Sequence, residues 1–242
     1  MKKIKLFLLF SFVAVVLIGC EMGDCKSNQN LSKEEVIEKA RESINGLDSL
    51  NQETNINLVT KLDDLEETQN IELESKMIFD DQKNIDSIYT SNVTTKNDLV
   101  QTFDFYKGPD GIFADQGNGW EKYSGGENYA TTYKPILDTF LDVVDDLEMT
   151  ELDSDYEFKF TGRDGNIFRA VGKPYSINYN GITDDEIDLD IVYIIEKKTL
   201  LLRQSKIGTK GSLAENNTAT INAETTFKDF NTFETIENPA NP

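Results

Sequence analysis

Leu50-Asn51-Gln52-Glu53-Thr54-Asn55-Ile56-Asn57-Leu58-Val59-Thr60-Lys61-Leu62 decides the fold class. Every second residue from Leu50 through Gln52, Thr54, Ile56, Leu58 and Thr60 to Leu62 falls on one side of an extended chain, because strand side chains alternate. The same period recurs outward along the sequence. Ile71, Leu73, Ser75, Met77 and Phe79 repeat it, as do Ile85, Ser87, Tyr89, Ser91 and Val93, and then Leu99, Gln101, Phe103 and Phe105. These are long strands with one buried face, the pattern of an antiparallel meander. The buried faces mix apolar residues with Ser, Thr and Gln. Two readings of that mixture stay open: a partly lined cavity, or solvent at the strand ends.

Short turn signals follow. Pro109-Asp110-Gly111 and Gly117-Asn118-Gly119 frame a small strand at 112–114, and Trp120 opens the returning strand. Tyr156, Phe158 and Phe160 alternate, and so do Ile187, Leu189, Ile191, Tyr193 and Ile195. After a turn at Glu196-Lys197-Lys198, residues 200–206 pair back. A polar loop is expected over 208–216, a Thr-rich strand over 218–227 and a short strand near 233–236.

Two helices interrupt the strands. Ser32 and Glu35 form a capping-box pair, and Val36, Ala40, Ile44 and Leu47 follow at helical spacing, which predicts a helix over 32–46. A second helix is expected over 129–148, with Pro135 in its first turn. Its Ile136, Leu137, Phe140, Leu141, Val143, Val144 and Leu147 cover a wide face, so it should lie buried against the sheet. Residues 164–172 fit either a short helix ended by Gly172 or a strand after the Asp164-Gly165 turn.

Composition narrows the function. The chain has 242 residues, 44 acids, 24 bases and a formal net charge of −20. Such a balance opposes nucleic acid, whose phosphates need Lys and Arg, and opposes lying flat on anionic lipid. Histidine is absent, which removes Ser-His-Asp catalysis and His-ligated zinc. No Gly-rich phosphate loop or GxSxG elbow occurs. No cofactor is called for. The acids Asp184, Asp185, Glu186, Asp188 and Asp190 are dense, yet Asp188 and Asp190 share the outer face of a strand, and no calcium-loop pattern is present. No metal site and no catalytic residue is therefore assigned, and the chain reads as a monomeric non-enzyme; hydrolysis by a carboxylate pair is the remaining alternative, with no pair among the 44 acids selected by the sequence.

The first residues give an address. Lys2, Lys3 and Lys5 precede an apolar run over 6–18, which is shorter than the ~20 residues of a membrane span. The run ends in Leu17-Ile18-Gly19-Cys20, the form of a lipobox. The expectation is a leader over 1–19, cut between Gly19 and Cys20, with a diacylglycerol and an acyl chain on Cys20. About 0.8 kcal/mol per buried methylene makes two chains a stable anchor. Residues 20–30 then form a lipidated flexible tether that includes a free Cys25, a single domain fills 31–239, and 240–242 are a loose tail. The protein would sit on the outer face of a bacterial cytoplasmic membrane.

The order of these elements resembles the LolA/LppX-like lipoproteins, in particular their Gram-positive branch of unassigned function. The stretches that carry the resemblance are Ser32 to Gly46, Gly119-Trp120-Glu121-Lys122, Tyr193 to Leu200 and Ile236-Glu237-Asn238-Pro239. Glu196 stands where that family usually has Asp, and the spacing before Pro239 is not diagnostic. The resemblance implies an α+β fold: an antiparallel, unclosed β half-barrel with two or three helices packed on its concave face. It also implies a lipid or other apolar small molecule held between sheet and helices. The ligand-lining candidates are Ile56, Leu58, Leu73, Phe79, Phe103 and Phe105 on strands and Phe140, Leu141 and Val144 on the second helix. The function expected is binding or shuttling of a hydrophobic ligand. The alternative is a tethered acidic interaction module with a solid core.

Overall fold

The computed structural model describes residues 31–125, 129–214 and 217–240. The lipobox, the tether and both cysteines lie outside these residues. Three helices and eleven strands follow one another. They are α1 (Lys33–Ser43), β1 (Ser49–Leu62), β2 (Leu65–Phe79), β3 (Ile85–Lys96), β4 (Leu99–Gly108), β5 (Gly111–Asp115) and β6 (Glu121–Lys122). Then come α2 (Tyr133–Val143), β7 (Glu148–Glu151), β8 (Asp155–Gly162), α3 (Gly165–Gly172), β9 (Asp188–Glu196), β10 (Leu202–Ala214) and β11 (Asn217–Lys228).

All strands join one antiparallel sheet in the order β6-β5-β4-β3-β2-β1-β11-β10-β9-β8-β7. The end strands β6 and β7 do not pair, so the half-barrel stays unclosed. The sheet is two meanders stitched by the β1–β11 ladder, which runs from Asn51 opposite Lys228 to Leu62 opposite Asn217. That stitch puts β6 and β7 at opposite edges. The chain between them must travel from one edge to the other, and it carries α2 across the inner face.

Aromatic packing fixes α2 there. Phe140 meets Phe158 edge-on at 5.0 Å and Tyr193 at 5.1 Å, while Tyr133 meets Phe227 at 4.8 Å. All these strand partners belong to β8, β9 and β11, so the helical cover lies on the β8–β11 half. The Tyr133 hydroxyl accepts from the Leu202 backbone N–H at 3.1 Å, which satisfies a polar atom in an apolar setting. The α1 helix starts with the reciprocal cap read from the sequence: Glu35 N–H donates to Ser32 Oγ and Ser32 N–H to Glu35 Oε2. Lys33 Nζ donates to the Asp145 and Leu147 carbonyls at the end of the α2 segment, where a cation offsets the helix dipole.

Residues 165–172 are helical, not extended. Asp164 Oδ1 caps α3 by accepting from Asn166 and Ile167 N–H at 2.8 and 3.0 Å. The polar loop expected from residue 208 is instead strand as far as Ala214. The polar composition of this stretch gave the loop signal, and Gly211 within it is a packing site. A Cβ on Gly211 would meet Ile182 Cδ1 at 2.7 Å and Tyr179 Cδ1 at 2.9 Å. The strand expected near 233–236 is absent. There Asn231 ties the chain down, accepting from Asp48 N–H and donating to the Gly46 carbonyl, both at 2.7 Å. No helix among the described residues is long and apolar enough to cross a membrane.

Candidate functional site

Beyond the buried Met77, Phe79 and Ile88, the register places two rows of side chains on the inner face of β1–β4. One runs Gln52, Ser75, Thr90, Phe105; the next runs Thr54, Leu73, Asn92, Phe103. All of these except Thr54, together with Ile88, Tyr123, Tyr129, Thr131 and Thr132, line a cleft of about 320 Å³. That volume lies at the small end of the range for small-molecule sites, ~300–1,000 Å³. Tyr123 forms one wall, edge-on to Phe105 at 5.9 Å and to Phe103 at 6.2 Å. Tyr129 forms another, with Lys107 Nζ 5.3 Å from its ring centre. No charged side chain among the described residues lines the cleft.

Its polar groups are mostly spoken for. The Ser75 and Thr90 hydroxyls bond to each other at 2.9 Å. Gln52, only 3 % exposed, donates from Nε2 to the Thr131 carbonyl at 2.6 Å and to Thr54 Oγ1 at 3.0 Å. Two acceptors at Nε2 fix the amide orientation, and Gln52 Oε1 is then left buried without a protein donor. A second, more polar trough of about 510 Å³ adjoins the cleft, shares Asn92 and Phe103 with it, and includes Thr94, Gln101, Thr102 and Gln116.

Of the residues singled out in the sequence, Leu73, Phe103 and Phe105 come together in the cleft. Ile56 and Leu58 continue the inner face of β1 towards its hairpin, half-buried. Phe79, Phe140 and Val144 lie in the core, and Leu141 packs partly buried against it. Thus α2 fills the other half of the barrel, and the wall opposite the strands is the approach to α2. Gln52, Thr90, Asn92, Tyr123, Tyr129 and Thr131 were not singled out. Gln52 signalled only as a Gln on an otherwise apolar face. Thr90 and Asn92 gave no signal, because Ser87, Tyr89, Ser91 and Val93 were expected on the buried face of β3, whereas its ladder to β2 puts Thr90 and Asn92 inside beside Ser75 and Leu73.

The acidic run on and before β9 is occupied by local partners. Asp184 pairs with Arg169 at 2.7 Å and Asp188 with Arg163 at 2.6 Å. The Arg163 guanidinium holds the Asp188 carboxyl below its usual value. Asp185 Oδ1 accepts from Gly165 N–H at 3.0 Å. No group of three or more possible ligands among the described residues is placed to hold a metal ion.

Residues 32–241 match a family described as of unknown function, DUF6612, and the chain belongs to it. No curated protein sequence matches. Among solved structures the chain is similar to LprF from Mycobacterium bovis, at 13 % identity and a TM-score of 0.50, over 86 % of this chain and 97 % of that one. It is also aligned with a DUF1329 family protein from Desulfovibrio piger, at 10 % identity over 81 % of this chain and 91 % of that one, TM-score 0.24. A LolA superfamily protein, NE2245 from Nitrosomonas europaea, aligns at 10 % identity over 83 % of this chain and 93 % of that one, TM-score 0.19. The fold is LolA/LppX-like, on the strength of the LprF likeness and the open sheet.

Proposed function

We propose that this DUF6612 member is an extracytoplasmic lipoprotein, anchored through Cys20, whose cleft binds or shuttles a lipid or other hydrophobic molecule. One observation carries the reading: a cleft walled by Phe103, Phe105 and Tyr123, with no charged side chain among the described residues that line it. Transfer of apolar surface from water into such a cleft supplies about 25 cal/mol per Å² before the costs of binding. Capture and release then need no covalent chemistry. The alternative of a solid-cored acidic module expects no such space.

The anchor would hold the domain at the membrane by a tether with an r.m.s. reach of roughly 17–19 Å over ten residues. A Cys20→Ala variant should appear in the culture medium and lose incorporation of labelled palmitate. For the cleft, residues 21–242 should be purified without detergent and their organic extract analysed by mass spectrometry. A stoichiometric apolar species, displaced by a fluorescent fatty acyl probe, is expected. A clean extract together with no probe uptake refutes the reading.

A further inference from the structure

Among the described residues the outer half of β4 has no strand on the side away from β3. Its ladder to β3 runs the length of the strand from Leu99 to Lys107, but its ladder to β5 covers only Asp104–Gly108. Beyond Asp115 the chain turns away, because Asp115 Oδ1 accepts from Gly117 N–H at 2.7 Å and Gly119 N–H at 2.9 Å, with both glycines at positive φ. Leu99 to Phe103 therefore form an open sheet edge.

The turns say which backbone groups are free. Asn97 and Asp98 make a two-residue hairpin with φ of 48° and 65°, so Lys96 and Leu99 exchange ladder bonds. In an antiparallel strand alternate residues face alternate neighbours. Leu99, Gln101 and Phe103 then bond to β3, and Val100 and Thr102 turn their N–H and C=O outward. The Pro109-Asp110 turn gives the same parity from the other end, with Asp104, Tyr106 and Gly108 facing β5. No backbone bond from Val100 or Thr102 to any segment beyond the ladder occurs among the described residues.

Other open edges are blunted by known devices. The end of β2 beyond β3 carries Glu66 and Glu67, which pair with Lys61 and Lys96. The edge strand β7 has four residues and begins and ends in Glu. The β4 edge, Leu-Val-Gln-Thr-Phe, is uncharged, rich in strand formers and exposed, with Leu99 at 73 % and Val100 at 62 %. Beside it lies the 510 Å³ trough, into which alternate side chains of an added strand would fall.

We infer that this edge docks an extended segment of a partner protein, one with strand-forming residues flanked by Lys or Arg, which adds to the sheet beside Val100 and Thr102. Charge selects the partner. Asp98 stands at one end of the open stretch and Asp104 at the other, with Asp115 paired opposite Asp104. These carboxylates bracket the open stretch with negative charge that a basic flank complements. A second copy of the chain is disfavoured: pairing Val100 of one with Thr102 of the other sets Asp98 against Asp104. The inference stands apart from the lipid reading, since it uses the edge rather than the cleft.

The test uses the full chain and a fluorescein-labelled peptide of alternating Val and Thr with Lys at both ends, read by fluorescence polarisation. Binding is expected, and a Glu-flanked version should bind at least about tenfold more weakly. Thr102→Pro removes an outward N–H without touching the β3 ladder, which edge strands tolerate. It should abolish binding at an unchanged melting temperature. In the unsubstituted protein the Thr102 amide should exchange more slowly with the peptide bound, a readout that survives if the variant misfolds. Failure of the Lys-flanked peptide to bind overturns the inference, as does undiminished binding to folded Thr102→Pro. An unprotected Thr102 amide also overturns it, and so does a chain dimer that Thr102→Pro dissolves.

Discussion

The Tyr175 hydroxyl lies 3.0 Å from Thr225 Oγ1, which lies 2.9 Å from Thr54 Oγ1, deep under the central strands. Tyr175 donates onward to Ser205 Oγ at 3.3 Å, and Gln52 donates to Thr54. With both ends assigned, every proton in between has one direction: Gln52 to Thr54, to Thr225, to Tyr175, to Ser205. A cleft residue is thereby tied to the core through hydroxyls that are all but inaccessible to solvent.

Tyr175→Phe breaks that chain and leaves Thr225 without an acceptor. It should cost about 1–3 kcal/mol. At roughly 2–4 °C per kcal/mol for a domain of this size, calorimetry should show the drop clearly. An unchanged melting temperature would mean that water replaces the lost partner.

Burial pushes the hydroxyls of Tyr133, Tyr175, Tyr179 and Tyr193 above the ordinary tyrosine value. The neutral phenol is the folded form. Stability from these groups is complete below the unfolded value of about 10 and is lost as pH rises beyond it towards the raised folded values. Alkaline titration followed by phenolate absorbance should show these four ionising only together with loss of the native fold. Their ionisation in a folded protein would contradict the packing described.

Gly211→Val tests why β10 continues where a loop was expected. The new side chain must displace Ile182 and Tyr179, and overpacking of this kind costs about 1–3 kcal/mol. Denaturant unfolding should show a lower midpoint at unchanged slope. A neutral result would mean that the 177–183 segment gives way.

Phe103→Ala and Phe140→Ala should part company. Phe103 lies outside the buried core and lines the cleft, so its loss should weaken uptake of an apolar probe about tenfold and spare the fold. Phe140 is fully buried, and its loss should cost about 3–5 kcal/mol. Probe titration beside thermal melts separates the two.

Most strands were legible because burial on one face writes a period of two, though β3 shows the opposite face inward from Ser87 onward, and the first cap because Ser32 and Glu35 stand three apart. The same signals hide what lies beneath an apolar residue. Phe103 and Phe140 look alike in sequence, since a cleft wall and a packed core both ask for aromatic rings. What separates them is the β1–β11 ladder, which joins residues far apart in the chain and sends α2 to one half of the sheet. Polarity misled at 208–216, where strand β10 runs on to Ala214 and Gly211 serves close packing. Gln52 was visible only as an oddity, because its partners Thr131 and Thr54 reach it through the fold.

Placing nearly all helical cover on the β8–β11 half divides labour within one sheet. The folded state rests on that flank and on the buried row Leu50, Met77 and Ile88, and the contents of the cleft beyond can change without undermining it. Relatives built on this plan are free to diverge in what they carry while keeping their melting behaviour, so substitutions around Phe103 and Tyr123 should drift faster between them than those around Phe140 and Tyr193.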